Sequence, residues 1–109
     1  MNPKLLHGNL EPIVIKLLLE QGELYGYEIT TLVKGISNMK LVLTEGALYP
    51  ILHKLEAKGT ITSETRKVDN RFRKYYRLSP DKKKETTAQL AEMDQYIQTL
   101  IHIFNPKLT

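Results

Sequence analysis

The chain has 109 residues, no cysteine, 41% hydrophobic and 26% charged residues, and a formal net charge of +4. That is one domain's length with an ordinary folded composition, so disordered and fibrous classes are excluded. The missing thiols exclude a disulfide scaffold, a thiolate zinc site, an iron–sulfur cluster and a cysteine nucleophile.

Residues 11–21 are predicted as a first helix, with Pro12 in its opening turn and Gly22 as its stop. Residues 13–19 are apolar except for Lys16, so this helix needs cover on nearly all sides, which in so small a domain points to a second covering surface such as another subunit. The same stretch is far too short to cross a bilayer, and no signal-peptide pattern precedes it. A cytoplasmic protein without membrane contact is expected.

Residues 26–36 are predicted as a second helix. Ile29, Leu32, Val33 and Ile36 fall at i, i+3, i+4 and i+7 and form one apolar stripe. Ser37 and Asn38 then act as turn formers. Residues 45–58 are predicted as a third helix, with Thr44 as N-cap and Gly59 as stop. Leu48, Ile51, Leu52 and Leu55 repeat the stripe, and the opposite face carries Gly46, Tyr49, Pro50, His53 and Lys54.

Residues 60–67 and 73–78 read as strands, with Asp69-Asn70 as the turn of a hairpin whose tip bears Arg71, Phe72 and Arg73. Ser79 and Pro80 are an N-cap and a first helical residue. From there a helix of about 25 residues, roughly 37 Å long, is predicted to reach Phe104. Leu90, Met93, Ile97, Leu100 and Phe104 are spaced 3, 4, 3, 4, a heptad seam. The expected fold is mainly α with a small β-hairpin (α+β). Three helices followed by a hairpin is the layout of a winged helix-turn-helix. Residues 1–79 are expected as the DNA-binding domain and residues 80–109 as a long C-terminal dimerisation helix.

Residues 66–84 hold nine bases and only two acids, Asp69 and Asp81, so the rest of the chain is mildly acidic. One positive strip on such a body is the pattern of a phosphate-binding surface. His7, His53 and His102 are scattered without ligand spacing, so no metal site is expected. No catalytic triad, phosphate-binding glycine loop or paired-carboxylate site is visible, so neither an enzyme nor a cofactor is expected.

Three segments occur in a telling order: Gly26-Tyr27-Glu28; Thr44-Glu45-Gly46-Ala47-Leu48-Tyr49-Pro50 with Leu52-His53-Lys54-Leu55-Glu56 and Gly59; and Arg73-Lys74-Tyr75-Tyr76-Arg77-Leu78-Ser79-Pro80. Over about residues 8–80 the chain resembles the PadR family of bacterial transcriptional regulators, and its single C-terminal helix resembles the short subfamily. The resemblance implies a homodimeric, DNA-binding repressor whose C-terminal helix packs on the partner's N-terminal region. It also implies a small aromatic or drug-like effector that releases the DNA. Where the family's wing carries Gly-Arg-Pro-Arg or a glycine pair, this chain has Asp69-Asn70-Arg71-Phe72-Arg73. Asn tolerates the positive φ that such a turn needs.

On this layout the third helix is the recognition helix. Its expected contacts with double-stranded DNA, on a pseudo-palindromic operator, are Thr44, Glu45, Gly46, Ala47, Tyr49, Pro50, His53 and Lys54. The expected wing contacts are Arg71, Phe72, Arg73 and Lys74, with Tyr25, Tyr27 and Lys40 as further candidates. Gly46 lets a phosphate approach the helix start closely. Pro50 removes a hydrogen bond to the Gly46 carbonyl, a cost of about 3 kcal/mol inside an ordinary helix. Tyr49 can donate to a phosphate or pack half-buried, His53 can touch DNA or stay solvated, and Phe72 can pack under the wing or touch a sugar. Lys82, Lys83 and Lys84 either extend the strip or are solvated. Leu90, Met93, Tyr96, Ile97, Leu100, Ile101 and Phe104 are the expected dimer interface, because so long a helix outreaches a three-helix body. The rival reading is a winged-helix dimer that binds protein or sequesters a ligand without binding DNA.

Overall fold

In the computed structural model, which describes residues 1–108, the chain starts with a helix that the sequence pattern had not marked. Helix α1 spans Pro3–His7. Its cap is Asn2, whose side chain accepts from the Lys4 N–H at 2.9 Å, and proline occupies the first helical position. Helix α2 (Leu10–Gln21) ends at Gly22, whose φ of +85° turns the chain away. Strand β1 is only Leu24–Tyr25. Helices α3 (Gly26–Ile36) and α4 (Glu45–Ala57) follow. Strands β2 (Ile61–Val68) and β3 (Arg71–Leu78) form the hairpin. A 3₁₀ turn (Pro80–Lys82) leads into α5 (Lys83–Phe104).

Two boundaries differ from expectation. Ser79 does not cap the long helix: its side chain makes no cap bond, and its N–H is drawn to the Thr60 carbonyl at 3.0 Å. Proline therefore starts a 3₁₀ turn, and α5 is 22 residues long rather than about 25. Thr109, the last residue of the expected dimerisation helix, lies outside the described residues. The hairpin is also longer than expected. Asp69 and Asn70 take φ of +50° and +63°, which makes a two-residue turn, so Arg71 to Arg73 are strand residues rather than tip loop.

The sheet is three-stranded and antiparallel in the order β1-β3-β2, so the expected hairpin gains an edge strand. Leu24 pairs with Tyr76 and Tyr25 with Tyr75; Ile61 pairs with Leu78 and the ladder runs out to Val68 opposite Arg71. The core lies between α2, α3, α4 and the sheet. Val14, Ile15, Ile29, Leu48, Leu52 and Leu55 are fully buried. The expected stripe of α3 fails at its last member: Ile36 is 67% exposed, because the helix ends there and the chain turns through positive φ at Asn38 and Met39.

Helix α5 leaves this body. Its buried residue is Thr86, and Leu90 packs against the core. Beyond that, Tyr96, Ile97, Ile103 and Phe104 are exposed. The molecule measures 54 × 32 × 20 Å and its radius of gyration is 15.2 Å, against about 13 Å for a compact chain of this length.

Candidate nucleic-acid interface

Helix α4 forms because Thr44 caps it: the Thr44 hydroxyl oxygen accepts from the Ala47 N–H at 3.2 Å. Leu48, Leu52 and Leu55 turn one face inward, which leaves Gly46, Pro50 and His53, at i, i+4 and i+7, on the exposed face. That edge is low. A Cβ added at Gly46 would meet only the Thr44 hydroxyl, at 4.0 Å, so internal packing does not require glycine there. Pro50 does not break α4, which continues to Ala57, and it sits exposed. Glu45 is also exposed, in the first turn, where a carboxylate complements the helix dipole.

The other expected contacts differ in their neighbours and exposure. Ala47 is half-buried against the core. Tyr49 lies over the start of α3: a Cβ at Gly26 would sit 2.9 Å from its hydroxyl. Tyr49 is 39% exposed, so it packs and still reaches the surface. Lys54 points to Glu11 of α2 at 3.5 Å, and Lys58 reaches the same carboxylate at 2.8 Å. Tyr27 is exposed at the start of α3 and Lys40 is exposed before α4. The Glu28 side chain accepts from the Tyr25 N–H at 3.0 Å and steadies that helix start.

The hairpin stands beside α4. The Ser63 hydroxyl donates to Glu56 in the last turn of α4, and Lys74 reaches the same carboxylate at 3.2 Å. The Ser63 bond and then the lysine hold the Glu56 carboxyl below its usual range, while the carboxylate raises Lys74. On the other face, Arg66 donates to both oxygens of Glu23, at 2.5 and 2.6 Å, and to Glu64 at 3.1 Å. Those bonds lower Glu23 and raise Arg66. Arg73 lies over the Tyr25 ring at 4.7 Å and Arg66 over Tyr75 at 4.6 Å, with the two rings edge to face.

The basic strip therefore divides in space. At the wing tip Lys67 and Arg71 are exposed and form no ion pair among the described residues; Phe72, 75% exposed, shares the face of Lys67, and Arg71 stands on the opposite one. Lys82 to Lys84 stand beyond the other end of β3, about 24 Å of strand away. Lys82 pairs with Glu85 at 3.7 Å. Sequence reasoning counts Lys67 among the bases without placing it at the tip. The signal was the two-residue turn, which sets Lys67 opposite Phe72.

Of the expected dimer residues, Leu90, Met93, Leu100 and Ile101 are half-buried and Tyr96, Ile97 and Phe104 are exposed. Five of them (Leu90, Met93, Tyr96, Ile97 and Leu100) line a mostly apolar groove of about 1110 Å³, whose other wall is Leu5 of α1 and Ile13 and Leu17 of α2. No helix among the described residues is long and apolar enough to cross a membrane, and no group of three or more His, Cys, Asp or Glu is placed to hold a metal ion.

Residues 14–88 match the model of the transcriptional regulator PadR-like family. A transcriptional regulator of Mycobacterium tuberculosis is 53% identical over 38 residues, which are 35% of this chain and 36% of that protein. A transcriptional regulator from Clostridium thermocellum has a similar structure, with a TM-score of 0.78 and 29% identity over 94% of this chain and 98% of that one. Bacillus subtilis PadR, solved in complex with operator DNA, is similar with a TM-score of 0.66 and 32% identity, over 74% of this chain and 46% of that one. The family match covers the winged helix from the middle of α2 into the start of α5, and with it this chain belongs to the PadR-like family of transcriptional regulators, not to a family of enzymes.

Proposed function

We propose that this chain is a homodimeric, sequence-specific DNA-binding repressor that acts in the cytoplasm on a pseudo-palindromic operator and releases it when a small aromatic or drug-like effector binds. The observation that carries the reading is the exposed edge of α4, Gly46, Pro50 and His53, together with a wing tip whose bases Lys67 and Arg71 form no ion pair among the described residues. Residues 1–79 are the DNA-binding part, and residues 80–109, which contain α5, are the dimerisation part. The wing docks on phosphate, and α4 enters the major groove with its low edge toward the bases. The operator complex of Bacillus subtilis PadR supports this mode.

Dimerisation is supported by the apolar residues that α5 leaves uncovered. A helix with Ile97 at 45% and Phe104 at 74% exposure needs a second surface, and the groove walled by α1, α2 and α5 offers one. A twofold axis would then set two α4 helices on successive major grooves, roughly 34 Å apart or a multiple of it.

The deciding experiment is fluorescence-anisotropy binding to the DNA upstream of the chain's own gene, beside a random duplex, over about 50 to 200 mM salt. Tighter, salt-sensitive binding to the upstream DNA is expected, and Arg71→Ala should lower the salt slope by about one unit. No binding to either duplex at low salt overturns the reading. That result favours a second one, a ligand-sequestering dimer, for which the size of the apolar groove speaks: it exceeds the ~300 to 1,000 Å³ of most small-molecule sites.

A further inference from the structure

The outer face of the wing places two arginines directly opposite each other. Arg66 on β2 pairs with Arg73 on β3, and like charges at paired positions repel. The row below them is Glu64 with Tyr75, and Tyr75 also pairs with Tyr25. Beyond that row the sheet loses its third strand, because β1 ends at Tyr25. The four outer rows, from Thr65 with Lys74 to Val68 with Arg71, are a two-stranded ribbon. Such a ribbon is marginal on its own in water. It nevertheless carries Lys67 and Arg71.

Two residues of the body reach up to this ribbon. Glu23 holds Arg66 through both carboxylate oxygens, at 2.5 and 2.6 Å. Tyr25 holds the Arg73 guanidinium over its ring at 4.7 Å and meets Tyr75 edge-on at 5.4 Å. Both lie at the turn from α2 into α3, so the ribbon is tied to the helix-turn-helix and not only to itself. The pair also neutralises the repulsion between the two guanidiniums.

We propose that Glu23 and Tyr25 are positioning residues for DNA binding: they clasp the paired arginines at the root of the wing and so fix where the tip bases Lys67 and Arg71 stand relative to α4. The proposal rests on the DNA-binding reading above. It gives Glu23 an effect opposite in sign to its charge. Removing an acid near a polyanion raises affinity when charges simply add. Removing this one frees the ribbon, so affinity falls.

The test uses the full chain with Glu23→Gln, the upstream duplex and the random duplex. The expected result is a Kd about three- to ten-fold weaker on both duplexes, with a salt slope smaller by about one unit. Tighter or unchanged binding overturns the proposal. Tyr25→Leu and Tyr25→Phe keep the net charge and provide a second arm. Phenylalanine retains the ring and should bind as the unaltered chain does; leucine should weaken binding to the same degree as Glu23→Gln. Equal losses with both would mean that the Tyr25 hydroxyl touches DNA itself, which also overturns the proposal. Amide exchange in the DNA-free protein separates this inference from the one beneath it. Glu23→Gln should speed exchange of the Val68 and Arg71 amides, the bonded pair that closes the two-residue turn, about ten-fold while leaving the α4 amides alone. Unchanged exchange at the tip refutes the clasp. An unaltered chain that binds no duplex refutes the DNA reading, whatever the exchange shows.

Discussion

Helices α2 and α5 carry comparable apolar patterns and meet opposite fates. In α2, Leu10, Val14, Ile15, Leu17 and Leu18 are all buried by the chain's own α4, α5 and sheet. The side left to water bears Lys16 and Glu20, paired at 3.1 Å. In α5 only Thr86 is buried, and the heptad seam runs on past the body with Ile97 and Phe104 uncovered. Burial of one large apolar side chain is worth about 1.5 to 3 kcal/mol. Helix α2 collects that within the chain; most of the apolar seam of α5 does not. An apolar stripe in a sequence thus states that a face will be covered, and the surrounding helix lengths state by whom.

That contrast can be broken by experiment. Ile15→Ala, in the filled core, should destabilise the fold by about 3 kcal/mol in denaturant titration, while Ile97→Ala in dilute protein should stay within about 0.5 kcal/mol. Similar losses at both sites would mean that α5 is covered inside its own subunit. Ile97→Glu puts a charge into the uncovered seam and should yield monomers by light scattering. A mass that stays dimeric would place the interface elsewhere. Thr86→Val probes the buried residue of α5. Its hydroxyl donates to the Lys82 and Lys83 carbonyls at 3.1 and 3.0 Å, so about 1 kcal/mol should be lost.

The smallest effect concerns how α2 is tied to α4. Glu11→Gln should cost about 0.5 kcal/mol, the scale of a partly exposed ion pair. The hydrogen bond from Lys58 holds the Glu11 carboxyl below its usual range. A depressed folded-state pKa means that the contribution is complete above the unfolded value and disappears as pH falls through the folded one. The difference between Glu11→Gln and the unaltered chain should therefore be present at neutral pH and vanish in acid. A difference that persists in acid would assign the effect to packing.

Much of this architecture is legible in the residues, because helices α2, α3 and α4 and the hairpin each announce themselves by period and punctuation. Thr44, Gly22, Gly59 and Asp69-Asn70 all fall where caps and turns are found. What escapes is short or depends on distant partners. Strand β1 has two residues and no period of its own; it exists because β3 offers it an edge. Helix α1 escapes although Asn2 and Pro3 are a cap and a first residue, since five residues show no stripe. Ser79-Pro80 has the local chemistry of a helix start and does begin a turn, but a 3₁₀ one in which the Lys82 N–H donates to the Ser79 carbonyl at 3.0 Å, so α5 begins only at Lys83. The candidate interface is legible as a list of bases and not as a division of labour. Nothing local tells Lys74, which meets Glu56, from Arg71, which forms no ion pair among the described residues; those partners are set by the fold. Cover for the first helix comes mostly from within the chain, with Ile13 left half-buried along the groove.

The contact between Gly26 and the Tyr49 hydroxyl has a genetic consequence. Alanine at position 26 would press on the end of a half-exposed ring, which can swing aside without unfolding the domain. The swing changes the surface that α4 presents. Gly26→Ala should thus be harmful beside tyrosine and nearly neutral beside leucine at position 49. The two positions form an epistatic pair, with substitutions at 49 arising as suppressors of those at 26 and the two residues inherited as one trait.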